Sequence, residues 1–384
     1  MKSTNLKNLL NDGFTRKFAT YYLDLVEKEK SNSVYNQEYV RWAHERGFLA
    51  ESAYAYGLND DNYKKYLSDY DFYKIWPLNN WTRIWINDKL TLKYILGEEK
   101  YKDFMPKYYF YTAQEGLKFL SDYPYDRKSN DSIMDSVKKI LQEVGELACK
   151  PCNGTTSLGF FKLSFYDNKY YINDEIVTEE SLEMFVSEHT NYVFTEYLRP
   201  SDVFSKYSPM IHTLRLVTLN TDGENPEIIG GYLRIPNEKS GVANYVVLND
   251  ENQDKFNIFL EIDIKTGEYS NAKQIYLNKV KDVTKHPDTG VVFNGEIKEY
   301  DKLKNIILDI ATKFNTITYM GFDIGITDDG FKCMEINSHP GIKYMQIFKS
   351  LYADEKNKEF FEQKISIVDG LSEEEKKARN GILR

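Results

Sequence analysis

Near the C-terminal end of the chain, two carboxylates and an amide fall on one side of a β-hairpin. In Tyr319-Met320-Gly321-Phe322-Asp323-Ile324-Gly325-Ile326-Thr327-Asp328-Asp329-Gly330-Phe331-Lys332-Cys333-Met334-Glu335-Ile336-Asn337, an Asp-Asp-Gly step separates two runs of β-forming residues, which is a hairpin signal. With a three-residue loop, Asp328 to Gly330, and Gly330 in the left-handed conformation, Thr327 pairs with Phe331 and Asp323 falls opposite Glu335. Strand alternation then puts Glu335 and Asn337 on the face of Asp323, while Phe322, Ile324, Ile326, Met334 and Ile336 turn to a core. Opposed like charges destabilise a sheet and ask for a cation. Three hard oxygen ligands suit Mg²⁺, which keeps several waters and shares its remaining positions with nucleotide phosphates. Gly325, on the same face, leaves room for them. An ordinary solvated hairpin has the same pattern, so the decision rests on the rest of the chain.

The run Gly145-Glu146-Leu147-Ala148-Cys149-Lys150-Pro151-Cys152-Asn153-Gly154-Thr155-Thr156-Ser157-Leu158-Gly159-Phe160 reads as strand, small-residue loop and a further strand. Backbone amides and hydroxyls of such a loop can fold over phosphate oxygens, with Lys150 at its base to neutralise them. Gly154 and Gly159 have the outer spacing of a P-loop, but Phe160-Phe161 stand where Lys-Ser/Thr belongs, which argues against that fold. A surface hairpin is the bland alternative. Cys149 and Cys152 lack the second pair a zinc site needs, and the five histidines form no metal-binding spacing. Only His339 stands near the acidic hairpin.

The elements that must position these groups are of mixed type. From about Asn5 to Tyr73 apolar residues recur at helical spacing, with breaks at Gly47 and Gly57 and an end at Pro77 and Asn79-Asn80. A helix through Lys93 and Leu96 begins at Asn87-Asp88-Lys89 and stops at Gly97. Strand-like runs follow at Tyr108–Tyr111, Leu147–Lys150, Phe160–Tyr166, Tyr192–Tyr197, Thr213–Leu219, Ile228–Arg234, Ile258–Ile264 and Tyr319–Ile326, with helices at Ile133–Val144, Ser181–His189 and Leu303–Phe314. The fold class is therefore α+β with antiparallel hairpins. We divide the chain into a helical N-terminal region (1–80), a first subdomain (81–195), a second subdomain with the acidic hairpin (196–350) and a charged helical tail (351–384).

A chain of 384 residues with 41% hydrophobic and 28% charged residues has ample length for a core. It contains no apolar run that could span a bilayer and opens without a secretion signal. Three cysteines in such a length point to a reducing compartment, so a cytoplasmic protein is expected. The net charge of −9 argues against general nucleic-acid binding.

Lys89, Lys150 before its Gly/Thr/Ser loop, Thr195-Glu196-Tyr197-Leu198 and Asp323…Glu335-Ile336-Asn337 occur in the order seen in ATP-grasp enzymes. With His212-Thr213-Leu214-Arg215-Leu216-Val217-Thr218, His286-Pro287-Asp288-Thr289-Gly290 and Ser338-His339-Pro340-Gly341, the chain resembles the sugar-transfer-associated ATP-grasp family of bacterial surface-polysaccharide genes over most of residues 5 to 350. The resemblance implies two α+β subdomains with ATP between them. Lys89 and Lys150 would hold the α- and β-phosphates, and the loop of Gly154, Thr155, Thr156 and Ser157 would close over the triphosphate. Glu196, Tyr197 and Leu198 would offer their backbone to adenine, and Asp202 would meet the ribose. Asp323, Glu335 and Asn337 would hold Mg²⁺, and Arg215 would face the γ-phosphate. Arg234, His339 and Lys343 would meet an anionic acceptor, with Arg234 joining Lys150 and Arg215 as a catalytic candidate. Each has a bland counterpart: Glu196 and Asp202 as solvated groups, Arg215 as a structural ion pair, Lys343 as a surface lysine. Thr195 stands where an adenine-contacting acid is often found.

The implied chemistry is Mg·ATP-dependent activation of a small-molecule or sugar-linked carboxylate as an acyl phosphate, which an amine or another nucleophile attacks. Two alternatives stay open: phosphoryl transfer to a hydroxyl, and a nucleotide-binding scaffold without turnover.

Overall fold

Polar caps set out the N-terminal helices. Asn5, Thr15, Asn36 and Ser68 each accept from backbone amides of the first turn of Leu6–Asn11, Arg16–Ser31, Gln37–Glu45 and Asp69–Lys74. The helix Ala50–Tyr56 ends in Gly57 at φ 61°, a left-handed stop open to glycine at little cost. These helices belong to a computed structural model that describes residues 5–126, 132–154, 158–240, 246, 248, 249, 251 and 253–382.

Among the described residues the strands form two antiparallel sheets. Sheet A contains β1 (Tyr108–Ala113), β2 (Gly116–Phe119), β3 (Glu146–Pro151), β4 (Phe161–Tyr166), β5 (Lys169–Ile172), β6 (Glu175–Val177) and β7 (Tyr192–Glu196), in the order β2-β1-β7-β3-β4-β5-β6. Sheet B contains β8 (Thr213–Leu219), β9 (Glu227–Ile235), β10 (Asn257–Ile262), β11 (Glu268–Ile275), β12 (Val280–Val283), β13 (Gly295–Glu296), β14 (Tyr319–Thr327) and β15 (Gly330–Asn337). Its order is β12-β11-β10-β9-β8-β14-β15, with β13 on β11. The α+β expectation holds, and most strand and helix bounds agree with the sequence reading to within two or three residues.

The unforeseen strands β5 and β6 follow tight turns. Asp167-Asn168 and Asn173-Asp174 all have positive φ, the conformation of two-residue hairpin loops that Asn and Asp tolerate. Those dipeptides were a readable signal.

One face of sheet A packs under the helices Ile133–Val144 and Glu179–Glu188, with Leu147, Cys149, Leu163 and Phe194 in that core. Sheet B is covered on both sides. Leu214, Leu216, Leu233, Leu260, Phe322 and Ile324 meet the helix Tyr300–Lys313. On the opposite face Val217, Leu219, Tyr232, Phe259 and Tyr319 meet the N-terminal helices and the tail, through Phe48, Phe72, Phe360 and Phe361. The tail helices Glu355–Asp369 and Glu373–Arg379 are packed, not frayed: Arg379 donates to the carbonyls of Gly13, Lys74 and Trp76.

The acidic hairpin reaches its expected register by a different route. Thr327 pairs with Gly330, not Phe331, so the turn is the two-residue Asp328-Asp329. A bulge then adds one residue to β15, and Asp323 again falls opposite Glu335. Met334 is the extra residue. It leaves the core, and Cys333 takes the buried place that alternation assigned to Met334. Gly325 also departs from expectation. A Cβ there would lie 3.1 Å from Ile211 and 3.4 Å from Leu198, so apolar side chains occupy the notch expected to stay open.

Candidate functional site

On β8 and β14 the face that the N-terminal region covers at Leu219, Val217 and Tyr319 becomes polar one step further along. Arg215 and Asp323 are direct cross-strand neighbours there. Arg215 grips both carboxylate oxygens of Asp323, through Nε to Oδ1 and through Nη2 to Oδ2 at 2.7 Å. Such a fork-to-carboxylate pair is geometrically specific. Gly321, beside the pair, makes room for Pro340: a Cβ at that position would strike Pro340 at 2.4 Å while lying in ordinary contact, 3.5 Å, with Cδ of Arg215.

Glu335 stands on the other side of Asp323. Its Oε1 accepts from Nδ2 of Asn337 at 3.1 Å, and its Oε2 lies 3.5 Å from Nζ of Lys89. Burial opposes ionisation of Glu335, but Lys89, close contact with Asp323, the amide of Asn337 and Arg215 outweigh it and hold the carboxyl well below the usual carboxylate range. Asp323 is pushed up by burial and by Glu335, against the pull of Arg215.

Lys89 opens the helix Lys89–Ile95, where Asp88 caps by accepting from the amide of Thr91 at 2.7 Å. Its own backbone amide donates to the carbonyl of Cys152 at 3.0 Å, which ties this helix to the end of β3. Lys150 sits on β3 opposite Val193, and alternation turns it away from the helix-covered core of Leu147 and Cys149. Burial and the charge of Lys89 push Lys150 down to about 8, with Glu335 pulling the other way. Lys89, Lys150, Arg215, Asp323, Glu335 and Asn337 thus form one electrostatically connected group between the sheets.

Gly154 and Gly159 flank the small-residue loop; Thr155, Thr156 and Ser157 lie outside the described residues. Gly159 has φ +76°, and a Cβ there would meet the Tyr192 hydroxyl. Glu196 ends β7 opposite Leu147, which directs its side chain to the helix-covered face. Tyr197 is flanked by Lys162 and Arg199, whose cations lie 5.7 and 5.1 Å from its ring centre. Leu198 packs near Gly325. The Asp202 amide donates to Asp328 in the hairpin turn at 2.9 Å, with the Asp202 side chain exposed.

Arg234 lies on β9 across from Thr213 and donates to its Oγ1 at 3.1 Å. His339 stacks on Phe72 with ring centres 4.1 Å apart, and burial pushes it down to about 3. Lys343 pairs with Glu51 of the N-terminal region. The structure brings Arg234 onto the face of Arg215, and turns His339 and Lys343 toward the N-terminal helices. Asn79 and Asn87, which the sequence offered only as punctuation, touch the end of β15: Asn79 donates to the Ser338 carbonyl at 2.7 Å and Asn87 accepts from the Ser338 amide at 3.1 Å.

The family described as sugar-transfer associated ATP-grasp matches residues 79–358. No curated protein matches the sequence. Among solved structures the chain is similar to D-alanyl-alanine synthetase A from Vibrio cholerae, with 16% identity and TM-score 0.39 over 74% of this chain and 65% of that one. It is also similar to the biotin carboxylase domain of the 2-oxoglutarate carboxylase from Hydrogenobacter thermophilus, with 11% identity and TM-score 0.38 over 75% of this chain and 46% of that one. A third is the D-alanine–D-alanine ligase from Bacillus anthracis, with 16% identity and TM-score 0.36 over 76% and 71%. The chain spans less than two thirds of the first two.

Proposed function

Because the chain belongs to the sugar-transfer-associated ATP-grasp family, we propose that it binds Mg·ATP between its two sheets and phosphorylates a carboxylate. The resulting acyl phosphate is captured by an amine or another nucleophile, with ADP and phosphate as products. The observation that carries this reading is the convergence of Lys89 and Lys150 on Glu335, which stands with Asn337 beside the bidentate Arg215–Asp323 pair. A carboxylate is a poor electrophile, and this charge pattern suits the transfer of a phosphoryl group to it.

The donor set fits a hard divalent ion: two opposed carboxylates and an amide oxygen, with Glu335 ionised at any pH near neutral. Mg²⁺ bound by Asp323, Glu335 and Asn337 would neutralise phosphate charge and polarise the transferring group. Lys89 and Lys150 hold the α- and β-phosphates; Lys150, close to its own titration point near 8, gains its charge most firmly when phosphate is beside it. Arg215, held on Asp323, would face the transferring group and offset its charge. The backbone of Glu196, Tyr197 and Leu198 receives the adenine edge, Asp202 the ribose, and the loop through Gly154, Thr155, Thr156 and Ser157 excludes water.

On the acceptor side, Arg234 is the cation that shares a face with Arg215. His339, neutral down to about 3, offers a ring and not a charge, and Lys343 stands back on Glu51. We place the substrate among sugar-linked or other small carboxylates of surface-polysaccharide assembly and the reaction in the bacterial cytoplasm. This location is supported by three buried free cysteines and, among the described residues, no helix long and apolar enough to cross a membrane.

The test is ATP turnover with Mg²⁺ against pooled amino acids and sugar carboxylates, with hydroxylamine as trap. Hydroxamate with ADP and free phosphate is the expected result. A phosphorylated product without free phosphate would replace this reading by hydroxyl phosphotransfer.

A further inference from the structure

β15 is an edge strand of sheet B, paired with β14 alone, and carries the bulge at Met334, so only one ladder holds its register. A one-residue slip would swing Glu335 and Asn337 to the opposite face. β14 and β15 pair as far as Gly321 and Asn337, and beyond that step the two strands have no ladder bonds to hold them together. At this open end stands Asn79, which is 4% exposed. Its Nδ2 donates to the carbonyls of Tyr319 and Ser338, both at 2.7 Å. Its Oδ1 accepts from the amides of Thr318 at 2.8 Å and Tyr319 at 3.1 Å. One buried amide thus stitches the start of β14 to the residue after Asn337. Asn87 closes the other side by accepting from the Ser338 amide.

Beyond Ser338 the chain stays on the N-terminal region. His339 stacks on Phe72, Lys343 pairs with Glu51, and Gln346 exchanges hydrogen bonds with the backbone of Leu67, both at 3.0 Å. Most of this grip comes from residues before 79, outside the family-matched stretch.

We infer that Asn79 is a positioning residue which fixes the register of β15, and with it Glu335 and Asn337, so that the N-terminal helical region is a working part of the metal-binding hairpin. The inference rests on the site reading above. Asn79 touches neither Glu335 nor Asn337; it acts by anchoring the backbone on which they stand. Removing a direct hydrogen-bond partner of a metal ligand costs roughly ten- to hundredfold in metal affinity, and a slip of β15 displaces two of the ligands themselves.

The experiment is titration of Mn²⁺ into the full chain with bound ADP, alongside ADP titration in EDTA, for wild type, Asn79→Ala and Leu9→Ala. Leu9 is buried among the N-terminal helices, away from the hairpin; its truncation lowers stability without touching the clamp and reports what mere loosening does. We expect Asn79→Ala to weaken Mn²⁺ binding at least about tenfold, with ADP affinity in EDTA within twofold of wild type, and Leu9→Ala to leave both unchanged. Equal Mn²⁺ affinity in Asn79→Ala and wild type overturns the inference, as does an equal loss in Leu9→Ala. If wild type binds neither Mn²⁺ nor ADP, the site reading itself falls, a result distinct from the other two.

Discussion

The two sheets bring charge to the candidate site by opposite means. Sheet A supplies Lys150 from a strand whose other face is locked under helices, and its ammonium has burial and Lys89 against it. Sheet B supplies charges that already have partners: Asp323 on Arg215, and Glu335 on the Asn337 amide and on Lys89 from the helix Lys89–Ile95. A lone buried cation costs folding energy until a counter-charge reaches it, whereas a buried pair becomes part of the fold. Binding and stability should therefore separate on sheet A and travel together on sheet B.

The largest expected effect is on turnover. Glu335→Ala should lower ATP consumption at least about a hundredfold, with the circular dichroism of wild type; turnover within a few-fold of wild type would remove Glu335 from the site. Lys150→Ala should do the same through the nucleotide, and ADP titration in EDTA separates the two, since only the lysine variant weakens it.

Stability sharpens the contrast. Asp323→Asn strands the Arg215 guanidinium, and urea unfolding should show a loss of about 3 kcal/mol. Lys150→Met removes an ammonium that burial disfavours, and its unfolding midpoint should match or exceed that of wild type. Equal losses in both would erase the distinction between the sheets.

Dependence on pH is the next handle. Lys150 has a folded value of about 8 against an ordinary 10.5. Between those two values the unfolded chain binds more protons, so this residue makes stability rise with pH. ADP affinity should fall over the same range as the ammonium is lost, in wild type but not in Lys150→Met. His212, at the entry to β8, is held down to about 3 by burial and by His286. The unfolded chain takes up its proton below 6.5, so stability should fall as pH drops from 6.5 toward 3, and urea midpoints across that range check it. The smallest effect is at the loop: Gly159→Ala forces a side chain onto positive φ and toward the Tyr192 hydroxyl, and should lower stability by about 1 kcal/mol in the same assay.

Much of this architecture could be read from local pattern. The helix Ile133–Val144 follows from Ser132, its capping box with Asp135 and an amphipathic period. β8 follows from an unbroken apolar-rich run, and the opposed Asp323 and Glu335 follow from hairpin alternation. Even there, two departures cancelled: the turn is one residue shorter than expected and an unforeseen bulge adds one residue to β15. No local rule announces a bulge, because the extra residue is tolerated only by what packs around it. The Asp-Asn and Asn-Asp turns before β5 and β6 are legible in the sequence as sites of positive φ.

The residue types of the site, their chain order and the strands and helices that carry them were determined by the sequence alone, because side-chain alternation, helical periodicity and caps act over a few residues. Only the tertiary structure decided which charges meet. Lys89 faces Glu335, Lys343 turns from the expected acceptor to Glu51, and His339 is spent on Phe72. Asn79 reaches Ser338 across 259 positions of chain. Such partnerships depend on how buried surfaces close over one another, and no short window of sequence contains both sides of the contact.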